Sequence, residues 1–232
     1  MTTPSQARPV VAFIPPSCCG AGYFRRLRRE LGDRVDVRAL ELPSHGRRYR
    51  ETPLTDAAAA VADLAARVDT PLDALYGESL GAYLALGLAD VLAQTRPPLL
   101  LAASNSPPSV RERIDPGAVD SVESAVAALR AMGGEIPPEV VSDPALAESA
   151  YPLIRADLLL AQSCIDLVRD SAAAGDLTVL AGADDTALTR MESWAEHTRG
   201  RCEVASLPGG HLLSATNPAG VAARVLEALA RR

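Results

Sequence analysis

The stretch that decides the fold is Tyr76-Gly77-Glu78-Ser79-Leu80-Gly81-Ala82, which lies between an apolar run at 72–76 and a helix-like run at 82–92. A serine on a sharp turn from a strand to a helix projects its hydroxyl above a sheet, and glycines on both sides let neighbouring backbone pass closely. Because Gly-x-Ser-x-Gly is a short pattern, it is a weak signal alone. The prediction that Ser79 is a nucleophile therefore depends on the rest of the chain.

Strand-like and helix-like segments alternate on both sides of this turn. Apolar patterns predict strands at 9–15, 35–42, 72–77, 99–104, 177–182 and 202–207. Helix patterns lie between them, at 23–31, at 56–68 with Thr55 as the N-cap, from Ser79 onward, at 189–197 and after Asn217-Pro218. This order predicts an α/β fold with a mostly parallel, doubly wound sheet.

The alternation stops between the fourth and fifth predicted strands. Pairs such as Pro107-Pro108 and Gly133-Gly134 separate helix-like pieces, and none of these pieces has a strand pattern. Asp143-Pro144 is typical of a helix start, an N-cap followed by proline at the first helical position. We therefore predict a helical lid insertion over about 105–173, within a single domain that covers 1–232.

The composition is that of one globular domain. The chain has 232 residues, of which 48% are apolar and 22% charged, so it can bury a substantial core. No apolar run approaches the length that crosses a bilayer, and the polar start Met1 to Arg8 is unlike a signal peptide. The four cysteines form neither a metal-ligand nor a disulfide pattern and are expected to be free thiols. We expect a cytoplasmic protein that needs no membrane, metal or resident cofactor.

Charge is distributed unevenly along the chain. All 23 basic residues are arginine, and the net charge is −6. Residues 25–50 hold nine arginines against four acids, which leaves this segment at +5 and the rest of the chain at −11. An acidic chain without aromatic-rich basic segments is a poor candidate for binding nucleic acid. A local basic face is better suited to an acidic protein or a phosphorylated ligand.

A serine nucleophile needs a general base within hydrogen-bond reach, oriented by a carboxylate. Of the three histidines, His211 follows the last predicted strand, at the sheet edge where ligands bind in such folds, and is the favoured base. His197 lies in an amphipathic helix pattern and is interpreted as a surface or packing residue. His45 precedes the serine, which breaks the order Ser, acid, His of α/β-hydrolases, and is interpreted as a turn residue near the mouth of the site.

The remaining parts of an acyl-transfer site also have candidates. The adjacent acids Asp184 and Asp185 follow the penultimate strand, where the orienting acid belongs, and spacing alone does not separate them. One oxyanion-hole N–H comes from the residue after the nucleophile, here Leu80, and a second from the loop at 15–20. Cysteines 18 and 19 in that loop are interpreted as small buried fillers, because nothing indicates an activated thiolate.

Together these motifs resemble a known family, the type II thioesterases that accompany polyketide synthases and nonribosomal peptide synthetases. Ile14-Pro15-Pro16-Ser17-Cys18-Cys19-Gly20-Ala21-Gly22-Tyr23-Phe24 is similar to its Phe-Pro-His-Ala-Gly-Gly-Ser-Ala-x-x-Phe opening. Leu42-Pro43-Ser44-His45-Gly46-Arg47 resembles its Pro-Gly-His/Arg-Gly-Arg turn, and Pro152-Leu153-Ile154-Arg155-Ala156-Asp157 resembles the Pro-x-x-Arg-x-Asp of its lid. The other matches, which extend the resemblance over nearly the full length, are Leu129-Arg130-Ala131-Met132-Gly133-Gly134, Gly182-Ala183-Asp184-Asp185, Trp194 and Gly209-Gly210-His211.

The resemblance implies an α/β-hydrolase fold and a catalytic triad of Ser79, Asp185 and His211, with the second acid of the doublet preferred. It also implies an oxyanion hole made by two backbone N–H groups, those of Ser17 and Leu80. The expected reaction is hydrolysis of an acyl thioester through an acyl-serine intermediate.

The resemblance also implies a partner. Members of the type II thioesterase family act on acyl groups carried on the phosphopantetheine arm of acyl or peptidyl carrier proteins. The arm therefore belongs to the substrate and is not a cofactor. Carrier proteins are usually acidic around this arm. Candidate docking contacts are therefore arginines of the basic segment, namely Arg25, Arg26, Arg28 and Arg29. The enzyme itself is expected to be a monomer.

Two departures from the family pattern bear on the substrate. Glu78 stands where the family commonly has His, and Pro16-Ser17-Cys18-Cys19 stands where it has His-Ala-Gly-Gly. Cysteine adopts positive φ reluctantly, so this loop is expected to follow a different path and the role of Ser17 is in question. A carboxylate beside the nucleophile would disfavour anionic acyl groups or perturb His211 by its charge.

Four interpretations of the function follow. The first is an editing enzyme that removes stalled or aberrant acyl groups in antibiotic-type biosynthesis. The second is a dedicated release enzyme for one carrier-bound intermediate, which the two departures favour slightly. A small-molecule carboxylesterase is opposed by the lid resemblance. A catalytically silent binding module is opposed by the intact order of serine, acid and histidine.

Overall fold

The computed structural model describes residues 7–92 and 95–232 and contains a six-stranded sheet. Its strands are β1 (Val10–Ile14), β2 (Asp36–Ala39), β3 (Ala74–Glu78), β4 (Leu99–Ala103), β5 (Leu177–Gly182) and β6 (Cys202–Leu207). Their order is β2-β1-β3-β4-β5-β6, and every neighbouring pair is parallel. The predicted parallel sheet is therefore confirmed. Residues 1–6 lie outside the described residues. They are part of the polar segment that is predicted not to be a signal peptide.

Helices cover both faces of the sheet. Those in the described ranges are α1 (Arg25–Leu31), α2 (Ala57–Ala65), α3 (Leu80–Val91), α4 (Val122–Ala131), α5 (Pro138–Ser142), α6 (Pro144–Val168), α7 (Leu213–Thr216) and α8 (Pro218–Ala230). Helices α2, α3 and α6 share one hydrophobic core with the sheet, and α1 and α8 share the other. This arrangement confirms the doubly wound fold.

The central strands are buried on both faces, which explains their continuous apolar sequence. Successive side chains of a strand point to opposite faces. Accordingly, Leu75 and Leu100 pack in the core beneath α3, whereas Tyr76 and Leu101 pack in the core beneath α1 and α8. Each fully buried leucine contributes about 1.5–3 kcal/mol relative to an exposed one. The strand β3, which leads directly into Ser79, is therefore packed on both sides.

The helix starts test the predicted caps. Asp143 caps α6 by accepting a hydrogen bond from the Ala145 N–H, with proline at the first helical position, as predicted. Asn217 caps α8 in the same way. The prediction of Thr55 as the cap of α2 is wrong, because the carboxylate of Asp56 accepts from the Ala59 N–H and the helix begins one residue later. The helix predicted at 189–197 is a 3₁₀ helix over Met191–His197.

Between β4 and β5 the chain forms the predicted helices and no strand. Helix α4 and the first half of α6 have a small core of their own, formed by Ala125, Leu129, Ile154 and Leu158. The second half of α6, from Leu160 onward, packs into the core beneath α3. The insertion is therefore a lid attached by a long helix that is itself part of the main domain. Within 7–92 and 95–232, no helix combines the length and apolar character needed to cross a membrane.

Candidate active site

Ser79 occupies the turn between β3 and α3 with a strained backbone, φ +55° and ψ −120°. The turn requires glycine on both sides. A Cβ atom at Gly77 would lie 2.0 Å from the carbonyl oxygen of Gly81, and one at Gly81 would lie 2.2 Å from that of Ile14. The amide of Asn105 donates to the Ser79 carbonyl at 2.9 Å and supports the turn from the end of β4. The geometry is that of a nucleophile elbow.

The structure brings the predicted triad residues together. The distance from His211 Nε2 to Ser79 Oγ is 2.9 Å, and that from His211 Nδ1 to Asp185 Oδ2 is 2.7 Å. Because the carboxylate accepts the Nδ1–H, Nε2 is free to accept the serine proton. The His211 and Asp185 side chains are 5% and 2% exposed, respectively. The neighbouring Asp184 is exposed, so the second acid of the doublet is the one that reaches the histidine.

The predicted oxyanion donors face the same small cavity as the serine. Ser17 and Leu80 line it together with Ser79. Neither backbone N–H has an acceptor among the residues that the structure describes. Unpaired N–H groups beside a nucleophile can hold the negative charge of a tetrahedral intermediate. This placement is compatible with the predicted role of both residues.

The loop from Pro16 to Cys19, for which the sequence predicts a path different from that of the family, forms a tight turn. The Cys19 N–H donates to the Pro16 carbonyl at 3.2 Å, and Cys18 adopts φ +62°, the conformation that glycine favours. Burial raises the pKa of the Cys18 thiol well above its usual value and that of Cys19 to about 11. Both thiols are half-buried and stay protonated at neutral pH, so they provide no activated thiolate.

The Glu78 side chain points away from the cavity at Ser79. Its side chain is fully buried and does not line the cavity at Ser79. It accepts hydrogen bonds from the hydroxyls of Tyr23 and Tyr76 and from Ser214. Burial raises the pKa of Glu78. The turn directs residue 78 into the interior, so the carboxylate does not face an acyl group on Ser79, and its predicted effect on anionic acyl groups stays a prediction.

The other two histidines are structural. His45 is a turn residue, as predicted, because its N–H donates to the Leu42 carbonyl at 3.2 Å, but its side chain is 4% exposed and does not lie at an open site mouth. Its Nδ1 lies 2.9 Å from the Pro43 carbonyl and its Nε2 lies 3.0 Å from Asp157 Oδ2. His197 is buried against Trp194, which confirms a packing role, and burial lowers its pKa.

The lid closes over the site. Leu129, Met132 and Gly134 contribute to the wall of the cavity at Ser79, which has a volume of only about 10 Å³, about the space that one water molecule needs. Gly133 lies directly on the histidine ring. A Cβ atom at this position would be 2.3 Å from His211 Nδ1, and the backbone φ of +91° also favours glycine. An acyl thioester can reach the serine only when this lid moves.

The predicted docking arginines do not all share one surface. Arg25, Arg28 and Arg29 line a groove of about 1,020 Å³. Arg26 points elsewhere and donates to the Ala215 carbonyl at 3.3 Å. The complete charged lining of the groove consists of five arginines and three acids, namely Arg8, Arg25, Arg28, Arg29, Arg47, Asp33, Asp36 and Glu41.

Sequence reasoning did not assign roles to Asn105, Gly133, Asp157 and Ser214. Asp157 and Gly133 lie in motifs that resemble the family lid, so the signal was present but pointed to no partner. Asn105 follows β4 at the sheet edge next to the elbow, so its place in the sequence could have indicated a supporting role. Ser214 has no local signal. In the described ranges, no group of three or more His, Cys, Asp or Glu side chains is placed to hold a metal ion.

Comparisons with known proteins show the family of this chain. The thioesterase domain family matches residues 9–229. The human medium-chain S-acyl fatty acid synthase thioesterase is 30% identical over 203 residues, which cover 83% of this chain and 76% of the human protein. The structure of BorB, a type II thioesterase from the borrelidin biosynthetic cluster, superposes with a TM-score of 0.77 at 27% identity, covering 98% of this chain and 94% of BorB. ClbQ from the colibactin NRPS/PKS pathway has a similar fold, with a TM-score of 0.84 at 20% identity and coverage of 97% and 98%.

Proposed function

This chain belongs to the thioesterase family and hydrolyses thioesters, and we propose that it is a type II thioesterase of nonribosomal peptide or polyketide biosynthesis. In this role it removes acyl groups from the phosphopantetheine arm of acyl or peptidyl carrier proteins. The observation that best supports the proposal is the hydrogen-bonded line from Ser79 through His211 to Asp185, in a chain similar to BorB.

The first half of the proposed reaction forms an acyl-enzyme. Ser79 Oγ attacks the thioester carbonyl carbon while its proton moves to His211 Nε2, 2.9 Å away. The carboxylate of Asp185 stabilises the imidazolium that forms. When the carbon–sulfur bond breaks, the imidazolium gives its proton to the departing thiolate of the arm. The acyl group is left as an ester on the serine.

The second half releases a free acid. A water molecule loses a proton to His211 and attacks the ester carbonyl, and the proton then returns to Ser79 Oγ as the carbon–oxygen bond breaks. In both halves the carbonyl oxygen becomes negative and is held by the N–H groups of Ser17 and Leu80. No cofactor takes part, because the phosphopantetheine arm arrives with the substrate.

Replacement of the nucleophile tests this mechanism. Ser79→Ala should abolish turnover of an acyl thioester, and a serine-directed fluorophosphonate should label the wild type but not the variant. Turnover by Ser79→Ala at the wild-type rate would contradict the assignment of Ser79 as the nucleophile. Failure of the folded wild type to be labelled or to hydrolyse any thioester would instead support a catalytically silent binding module.

We further propose that an acidic carrier protein docks at the groove lined by Arg25, Arg28 and Arg29. The groove is also lined by Ala21 and Gly22, which directly follow the oxyanion loop at 15–20. Its arginines outnumber its acids by five to three, which gives it the charge that an acidic partner requires.

Matched charge reversals on α1 test the docking surface. Arg25→Glu, Arg28→Glu and Arg29→Glu combined should raise the KM for an acyl-carrier about tenfold or more, because like charges across an interface repel. The KM for a small acyl thioester should not change. Arg29→Glu alone should have a larger effect than Arg26→Glu, which makes the same charge change outside the groove. Equal effects on carrier-bound and small substrates would contradict the proposal.

The choice between editing and dedicated release depends on acyl preference. Glu78 is one of the two departures from the family pattern that favoured a specialised release enzyme. Its side chain is directed away from the cavity and no longer favours that interpretation, so we propose editing. Mass spectrometry of carriers loaded with varied acyl groups, before and after exposure to the enzyme, measures this preference. Slow hydrolysis of many groups agrees with editing, and one strongly preferred group indicates dedicated release. A small-molecule carboxylesterase would show no advantage for carrier-bound substrates.

A further inference from the structure

The oxyanion loop contains a residue that is unfavourable for its own conformation. Cys18 is the third residue of the turn from Pro16 to Cys19 and has φ +62°, for which glycine is preferred. In the left-handed region the Cβ atom of any residue other than glycine crowds the following carbonyl oxygen, which strains the backbone. Such a conformation persists only where the surrounding structure holds it. Something outside the turn must therefore stabilise it.

Asp157 on α6 supplies the required contact. The Cys18 N–H donates to Asp157 Oδ2 at 2.6 Å, from a part of the chain 139 residues away. The aspartate is 1% exposed, so the hydrogen bond is shielded from competing water. A hydrogen bond to a charged group is stronger than one between neutral groups, so this contact can hold the loop against the backbone strain.

His45 in turn holds the aspartate. Its Nε2 lies 3.0 Å from the same Oδ2, and its Nδ1 lies 2.9 Å from the Pro43 carbonyl. Both neighbours can accept hydrogen bonds, and the hydrogen bond and charge of Asp157 raise the pKa of His45 and so favour the protonated ring. His45 and Asp157 are both buried and do not line the cavity at Ser79. The hydrogen bond from the Cys18 N–H to Asp157 connects them to the oxyanion loop.

We propose that Asp157, held by His45, is a positioning residue that keeps the oxyanion loop in its left-handed turn and so places the Ser17 N–H at the reacting carbonyl. The inference rests on the proposed function, because it acts through the oxyanion hole. The lid helix α6 thereby has a second role beyond covering the site. The contact explains how this chain accommodates Cys18 at a position that favours glycine.

The expected effect is on kcat. Removal of one oxyanion-hole donor lowers kcat about 10²–10³-fold. Displacement of the Ser17 N–H by a relaxed loop should therefore lower kcat about 10- to 100-fold. Asp157→Asn should show this loss with a small acyl thioester, with little change in KM. Asp166→Asn is the matched control, since it is the same change on the same helix at a solvent-exposed ion pair with Arg113. The control should retain wild-type kcat.

A double-mutant cycle separates positioning from general damage. Glycine adopts positive φ without strain, so Cys18→Gly should make the loop less dependent on the aspartate. Asp157→Asn should therefore cost at least about fivefold less in the Cys18→Gly background, corresponding to about 1 kcal/mol of relieved strain. An equal loss in both backgrounds, or no loss in either, overturns the inference.

His45→Gln provides a second route if Asp157→Asn does not fold. It removes the imidazolium but leaves the carboxylate, so it should lower kcat in the wild type and less so in the Cys18→Gly background. A loss that is the same in both backgrounds again overturns the inference. Ser79→Ala in the same assay tests the proposed function separately. If Ser79→Ala abolishes turnover while the cycle shows no coupling, only the positioning role fails.

Discussion

Glu78 accepts hydrogen bonds from the backbone N–H of Ser214, at 3.2 and 3.3 Å to its two oxygens, and also from the Ser214 hydroxyl. Ser214 follows His211 by three residues, and Glu78 precedes Ser79. The hydroxyls of Tyr23 and Tyr76 donate to the same carboxylate at 2.7 and 2.9 Å. One buried side chain thus joins the strand that carries the nucleophile to the segment that carries the base.

Glu78→Gln should weaken this connection. The new amide places N–H donors where the carboxylate accepted, and one of the surrounding donors loses its partner. The free energy of unfolding should fall by about 1–3 kcal/mol, the cost of an unsatisfied buried polar group. Because Ser214 is close to His211, kcat should fall more than KM rises. Urea unfolding and steady-state kinetics measure both effects, and an unchanged kcat would show that the cluster only supports the fold.

Gly81→Ala should disrupt the nucleophile elbow. The new Cβ would lie 2.2 Å from the Ile14 carbonyl oxygen, which is backbone and cannot move aside locally. Overpacking of this kind costs about 1–3 kcal/mol, and activity should fall further because the strained serine shifts. Gly22→Ala is the control, since no atom lies within 4 Å of its added Cβ. Equal stability of the two variants would contradict the role assigned to Gly81.

Gly133→Ala should destabilise the closed lid. The added methyl group would meet the His211 ring at 2.3 Å, and alanine is strained at φ +91°. A loss of about 1 kcal/mol from the closed state makes the open state about fivefold more populated. Fluorophosphonate should then label Ser79 about fivefold faster. Gly117→Ala, elsewhere in the insertion with only ordinary contacts, should label at the wild-type rate. Slower labelling of Gly133→Ala would mean that the methyl group displaces the histidine instead.

The stability contribution of His45 should decline with rising pH. Burial alone would lower its pKa, but the hydrogen bond and charge of Asp157 outweigh it and raise the pKa above 6.5, with Glu41 adding to the effect. The folded state therefore binds the proton more tightly than the unfolded state does. The stabilisation is complete below pH 6.5 and is lost as the pH rises through the folded-state pKa.

A pair of variants measures this dependence. The difference in free energy of unfolding between wild type and His45→Gln should shrink as the pH rises. For His197, burial lowers the pKa below 6.5, so its stabilisation is present above pH 6.5 and is lost as the pH falls through the folded-state pKa. The difference for His197→Gln should therefore change in the opposite direction. A pH-independent difference for His45→Gln would show that the imidazolium pair does not form.

Local patterns in the sequence determined the order of the elements and the main residues of the site. Continuous apolar segments marked the strands because both faces of a parallel sheet are buried, and the glycines around Ser79 marked the turn because no Cβ fits there. His211 followed from chain order, since a residue after the last strand reaches the carboxyl edge of the sheet. The preference for Asp185 over Asp184 needed the family resemblance, because the spacings of two adjacent residues to any partner differ by a single residue.

The tertiary structure alone decided which residues meet across long distances in the chain. Glu78 is next to Ser79 in sequence, yet the turn sends the two side chains in different directions, into a buried cluster and into the site. Asp157 meets Cys18 and His45 only because the fold brings α6 against the oxyanion loop, and Gly133 meets His211 only because the lid covers the loop that carries the histidine. Periodicity records which face of an element is buried, but it does not record which distant element covers that face.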